Sequence, residues 1–249
     1  MIILKNKHDI TLMRDSGKIA ALARATGGEM AKAGVTTAAI DAKIKQVIVS
    51  HGAIPSFLGY GGFPGSACVS VNDEVIHGIP SDRELKDGDI VKIDVGAFYK
   101  GFHSDCAATF AVGNVSAEAA KLISVTEESF FKGIEMAVPG NRLGDISAAV
   151  QNVVESNGFS VVRDYVGHGV GRELHEDPSI PNYGRAGRGV RLQSGMTLAI
   201  EPMVNIGGYA VKVLSDEWTV ITKDGSLSAH YENTIAITDN GPIILTALA

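Results

Sequence analysis

Cysteine is scarce in this 249-residue chain: only Cys68 and Cys106 occur, too few for a disulfide framework and without metal-type spacing. Long apolar runs are missing too. No stretch approaches the roughly 20 residues that cross a bilayer, and the opening MIILKNKHDI lacks an apolar core of signal-peptide length. Lysine and arginine never run longer than two residues, and the net charge is −6, which argues against a nucleic-acid footprint. These absences lead to the expectation of a soluble protein of a reducing compartment, most simply the cytoplasm, with no membrane partner and no sequence-specific nucleic-acid binding. What is abundant is apolar material, 45% of the chain, ample for a large core.

The sequence also repeats itself. MAKAGVTTAAIDAKIKQVIVSHG, Met30 to Gly52, returns at an offset of 106 as MAVPGNRLGDISAAVQNVVESNG, Met136 to Gly158. Ile40, Ile44, Val47 and Ile48 meet Ile146, Val150, Val153 and Val154, so both copies read as a helix with one apolar face, closed by a glycine. Downstream, LKDGDIVKID (Leu85 to Asp94) matches LQSGMTLAIE (Leu192 to Glu201), each a turn and an alternating strand ending on an acid. DCAATFAV from Asp105 then matches ENTIAI from Glu232, the second acid sitting two positions closer to the shared threonine. Helices over a curved, mostly antiparallel sheet are expected, in one α/β domain over 1–249 with halves near 1–113 and 114–249.

Packed about a pseudo-twofold axis, the halves would bring Asp94, Asp105, Glu201 and Glu232 together. Four converging carboxylates are unfavourable unless cations neutralise them. Asp94 and Asp105 bracket a hairpin that turns near 99–101, and Asp94 is expected at a strand end. Pro202 biases Glu201 towards extended backbone as well.

GHGVGRELHE, Gly167 to Glu176, supplies histidines seven residues apart. It lacks the Lys-Ser/Thr of a phosphate loop, and its GxGxG spacing with Pro178 soon after does not fit a dinucleotide fingerprint. It is not HExxH either. On a helix, His168 and His175 would stand about 10 Å apart along the axis, too far to share an ion with bonds of about 2 Å. One of the pair is therefore expected on metal and the other on substrate, and the flanking glycines are expected to leave His168 accessible. Four carboxylates and one histidine suit two divalent first-row ions. His77, in NDEVIHGIP, belongs to a loop or strand edge. The upstream FLGYGGFPGSAC, residues 57–68, reads either as a flexible surface loop or as an apolar wall for a substrate side chain. His230 lies two positions before Glu232, on the same side of a strand, as a supporting contact.

With these segments in view (LGYGGFP, VNDEVIHGIP, IDVGAFYKGFHSDCAATF, GHGVGRELHEDP, IEPM and DGSLSAHYENT), the chain resembles the type I methionine aminopeptidases over nearly its whole length. The resemblance implies the pita-bread fold and a hydrolase that removes the N-terminal methionine of nascent polypeptides through a water activated by two divalent ions (Co, Mn, Fe or Zn). It implies Asp94, Asp105, His168, Glu201 and Glu232 as metal ligands, and His77 and His175 as active-site histidines that touch substrate. Glu201 would move protons, and Tyr60, Phe63, Cys68 and Trp218 would line the methionine pocket. A monomer is expected, with at most a transient ribosome contact. Departures from the family pattern fall at Leu174, where many relatives carry Phe, at Phe57, and at His230, which replaces a common Gln. Two alternatives share the fold. A prolidase or aminopeptidase P usually carries a substantial N-terminal domain, and only about fifty residues precede the pocket segment here. A non-catalytic binding module would be expected to have lost ligands, whereas all five are present.

Overall fold

The computed structural model describes residues 1–248. Four helices, α1 (Lys7–Glu29), α2 (Thr37–Ser50), α3 (Ala117–Glu135) and α4 (Leu143–Ser156), flank a set of short strands. The first half contributes β1 (Ile54–Pro55), β2 (Cys68–Val71), β3 (Glu74–Ile76), β4 (Ile90–Tyr99) and β5 (Phe102–Ala111). The second contributes β6 (Ser160–Val161), β7 (Gly167–Gly169), β8 (Glu176–Ile180), β9 (Thr197–Ile200) and β10 (Met203–Asn205). It continues through β11 (Val211–Val213), β12 (Val220–Thr222), β13 (Ser228–His230), β14 (Asn233–Thr238) and β15 (Gly241–Ile244).

The repeated helices form where the apolar spacing places them. α2 and α4 are both 14 residues long, and each buries its i, i+4, i+8 row: Ile40, Ile44 and Ile48 in one, Ile146, Val150 and Val154 in the other. Local chemistry fixes the starts. The Asn6 side chain accepts from His8 N and Asp9 N, and Asp9 returns a bond to Asn6 N in a capping box; Thr36 and Ser116 cap α2 and α3. α1 packs on α2, β4 and β5, while α3 packs on α4, β10 and β13. The cores of the two halves are made accordingly, Ile93, Val95 and Val69 clustering with Ile40, Ile44 and Ile48 of α2, and Leu198, Ile200 and Ile235 with Phe130 and Ile146.

All strand pairings among the described residues are antiparallel, as the mostly antiparallel reading expects, and the ladders group into four sets. Two carry the acids: β4 with β1, β2 and β5, and the five-stranded β15-β14-β9-β7-β8. Asp94 and Asp105 do not end strands. The hairpin ladder is unbroken through ten-residue strands, from Ile90↔Ala111 to Tyr99↔Phe102, so both aspartates lie inside it. Glu201 and Glu232 do flank strand ends, after β9 and before β14.

The GHGVGRELHE segment is not a helix, which overturns the spacing argument for its histidines. β7 pairs antiparallel with β8, matching Gly169 with Glu176, and the intervening turn brings the His168 and His175 rings to 4.2 Å between centroids. Its glycines serve close packing rather than access. A Cβ on Gly167 would strike the Ala199 carbonyl and one on Gly169 the Asp177 carbonyl, while His168 itself is only 8% exposed.

Candidate metal centre and substrate cleft

The two halves are sewn together beside the acids. Ala107 and Glu232 exchange backbone bonds, with Ala107 N to Glu232 O at 3.2 Å and Glu232 N to Ala107 O at 2.9 Å. Arg24 reaches from α1 to the same seam, and its Nη1 donates to Ala107 O (3.2 Å), Glu232 O (3.1 Å) and Asn233 Oδ1 (3.2 Å). No local signal in the sequence marks Arg24, because its acceptors lie 83 to 209 residues away.

Around this seam Asp105 and Glu232 are buried, and Asp94 and Glu201 are nearly so. Asp94 Oδ1, Asp105 Oδ1 and Glu232 Oε1 have no hydrogen-bond partner. His168 Nε2 stands 3.8 Å from Asp105 Oδ2 and 3.7 Å from Glu201 Oε1, and its Nδ1 faces Gly169 O at 2.8 Å. Donation from Nδ1 to that carbonyl leaves Nε2 as a lone-pair donor towards the acids. Among the described residues, no lysine or arginine forms an ion pair with any of the four acids.

The electrostatics follow. Burial pushes Asp94 up to about 7, with Asp105 and Arg24 partly holding it down. Burial and then the charge of Glu232 drive Asp105 well above the carboxylate range, and Glu201 and Glu232 are raised by burial and by neighbouring acids. Burial lowers His168 to about 3 and His230 to about 3, keeping both rings neutral as ligation requires. Unpaired buried oxygens, mutually repelling acids and neutral imidazoles form a set that divalent cations satisfy. Two groups have donor atoms within 4.8 Å of one another: Asp105, His168 and Glu232, and Asp94, His230 and Glu232. Glu232 belongs to both. The residues therefore fit a divalent metal centre, with His230 closer to it than sequence spacing alone indicated.

A cleft of about 190 Å³ opens onto these acids. All the residues expected to meet substrate line it: Tyr60, Phe63, Cys68, His77, His175 and Trp218. Phe57 and Leu174 join the wall, packed with Phe63 and Cys68. Residues 57–68 thus form a wall rather than a free loop, turning through a short 3₁₀ segment, Tyr60–Gly62, before entering β2. Phe63 meets Trp218 edge-on at 5.1 Å. His77, just past β3 at φ +58°, is held between Tyr165 at 5.8 Å and Trp218 at 6.3 Å, and burial lowers it to about 4. His175 Nδ1 is 2.8 Å from the Tyr60 hydroxyl at the cleft mouth, where Tyr60 is 47% exposed.

The His175 loop is clamped from below. Lys5, in the segment preceding α1, forms a buried ion pair with Glu176 while also donating to Ile3 O at 3.0 Å. The Glu176 carboxylate in turn accepts from Arg172 N at 2.8 Å and Glu173 N at 3.3 Å. The pair packs so closely on Gly171 that a Cβ there would collide with both side chains.

Known proteins match this arrangement throughout. The pattern of metallopeptidase family M24 covers residues 11–239. A methionine aminopeptidase of Clostridium perfringens is 61% identical over 248 residues, spanning 100% of both chains. The crystal structure of a methionine aminopeptidase from Thermotoga maritima superposes with a TM-score of 0.98 at 48% identity, again over 100% of each chain. A prolidase from Pyrococcus furiosus is more distant: its TM-score is 0.81 at 25% identity, covering 99% of this chain and 66% of the prolidase.

Proposed function

The chain belongs to metallopeptidase family M24, and from that premise we propose that it is a methionine aminopeptidase acting on the free N-terminus of nascent proteins and peptides. The convergence of Asp94, Asp105, His168, Glu201 and Glu232 at the floor of an aromatic-walled cleft carries this reading. Whole-length similarity to methionine aminopeptidases supports it over the prolidase reading. Asp94, Asp105, His168, Glu201 and Glu232 would hold two divalent ions. When bound, such ions supply Lewis acidity and lower the pKa of a coordinated water towards neutrality.

The chain's own groups do the rest. Phe63, Cys68 and Trp218, with Phe57 and Leu174, form an apolar slot that fits an unbranched thioether, favoured by sulfur–aromatic contact. An ion held by these acids would offer a place for the substrate's free α-amine, a donor that an internal peptide bond lacks, which confines cleavage to the terminus. Glu201, at the cleft floor with Oε1 3.7 Å from His168 Nε2, is placed to relay a proton to the leaving nitrogen. His175 Nδ1 pairs with the Tyr60 hydroxyl at 2.8 Å; with that hydroxyl as the donor, the ring proton sits on Nε2, the form that donates to a substrate carbonyl and its developing oxyanion. His77, neutral on the opposite wall, meets the amide nitrogen of the scissile bond or the backbone beyond it. One catalytic domain over 1–249, working in the cytoplasm as a monomer with at most transient ribosome contact, fits this reading.

Incubating the manganese- or cobalt-loaded protein with Met-Ala-Ser, its N-acetylated form and Gly-Pro tests the proposal. Methionine should leave only the first peptide. Preferential cleavage of Gly-Pro would move the assignment to the prolidase side of the family.

A further inference from the structure

The seam between the halves has an internal symmetry that changes which residues correspond. Thr109 and Thr234 occupy equivalent places in the repeated strand motif, and each grips the other half's backbone. The Thr109 hydroxyl donates to His230 O and accepts from His230 N, both at 2.9 Å. The Thr234 hydroxyl donates to Asp105 O and accepts from Asp105 N, also both at 2.9 Å. The reciprocal Ala107–Glu232 pair lies midway between them. Asp105 is four residues before Thr109, and His230 is four before Thr234. The counterpart of Asp105 in the second half is therefore His230, while Glu232 corresponds to Ala107.

His230 has what a ligand in that place needs. It is 1% exposed, and neither ring nitrogen has a hydrogen-bond partner, an arrangement that costs free energy unless something fills it. Its Nε2 lies 3.8 Å from Glu232 Oε2 and 3.9 Å from Glu201 Oε2, too long for hydrogen bonds but suited to atoms sharing an ion. With Asp94 and Glu232 it forms a group whose donor atoms all lie within 4.8 Å of one another. Resting on the metal-centre reading above, we propose that His230 is a sixth ligand, binding through Nε2 the ion shared with Asp94 and Glu232. Each ion then receives one imidazole, His168 on one side and His230 on the other. A nitrogen donor on this ion shifts the site's preference from manganese towards cobalt and zinc.

Nitrogen-15 NMR of histidine-labelled, metal-free protein titrated with zinc alone tests this. Two imidazoles should take on the shift of metal-bound nitrogen, and His230→Gln should abolish one of them. By calorimetry, the same variant should bind its weaker zinc ion at least about tenfold less tightly, the lower end of what supporting contacts to metal ligands contribute, with an unchanged circular dichroism spectrum. A single shifting imidazole in the unmutated protein would overturn the assignment, and that outcome needs no variant to fold. Zinc that moves no histidine signal would instead sink the metal-centre reading beneath it.

Discussion

His175 and Asp105 lie at the same cleft yet should fail differently when altered. His175 touches Tyr60 and faces the cleft, while Asp105 is buried with an oxygen that no protein group satisfies. Replacing His175 by Ala removes one donor to a developing oxyanion, a change that elsewhere costs on the order of 10²–10³ in turnover. We expect that loss in kcat, with metal content by elemental analysis unchanged. Asp105→Ala should lose the metal itself. A His175→Ala protein that no longer retained metal would contradict the separation of roles. In the sequence the four acids stand out through the repeat and His168 through its glycine-rich segment, whereas Tyr60, Phe63, Cys68 and Trp218 come together as a set only through the family resemblance. In the sequence His230 stands out only as a neighbour of Glu232, although the two-position offset of Glu232 from the shared threonine already sets His230 opposite Asp105; the threonine–backbone bonds give that offset its structural meaning.

Among the segments, the repeat makes the existence and the buried face of α2 and α4 readable, since a helical apolar period is local. The β7–β8 turn is not. Seven residues along a helix axis separate two histidines widely, whereas antiparallel pairing folds His168 and His175 together. What holds that turn was equally hidden, since Lys5 and Glu176 are 171 residues apart. Their side chains are only 4% and 6% exposed, so breaking the pair leaves an uncompensated buried charge. Lys5→Met should destabilise the chain by about 3–5 kcal/mol, the usual cost of orphaning one member of a buried pair. Adding Glu176→Gln should recover part of that loss. Denaturant unfolding of the two single variants and the double checks this, and strictly additive losses would show that the two residues do not act as a pair.

In the whole metal-free chain the buried acids set a pH dependence. A carboxyl raised in the folded state binds its proton more tightly there, so its stabilisation is complete below about pH 4 and is lost as pH rises through its folded value, about 7 for Asp94. His168 and His230, lowered to about 3, act oppositely, but only below about pH 6.5. Lys92, lowered to about 7 by burial, gains on the alkaline side, one group against four raised acids. Calorimetric midpoints of metal-free protein should therefore fall between pH 6.5 and 8, and saturating divalent ion should remove the fall. A midpoint that rises over this window without metal would mean the acids are not mutually strained. Whether those acids hold ions for methionine removal is open to one direct measurement. Chelated protein titrated with cobalt or manganese, with methionine release from Met-Ala-Ser and bound metal followed together, decides it. Release should be absent at the start, return with the added ion and level off once two ions are bound per chain, whereas full release from metal-free protein would contradict it.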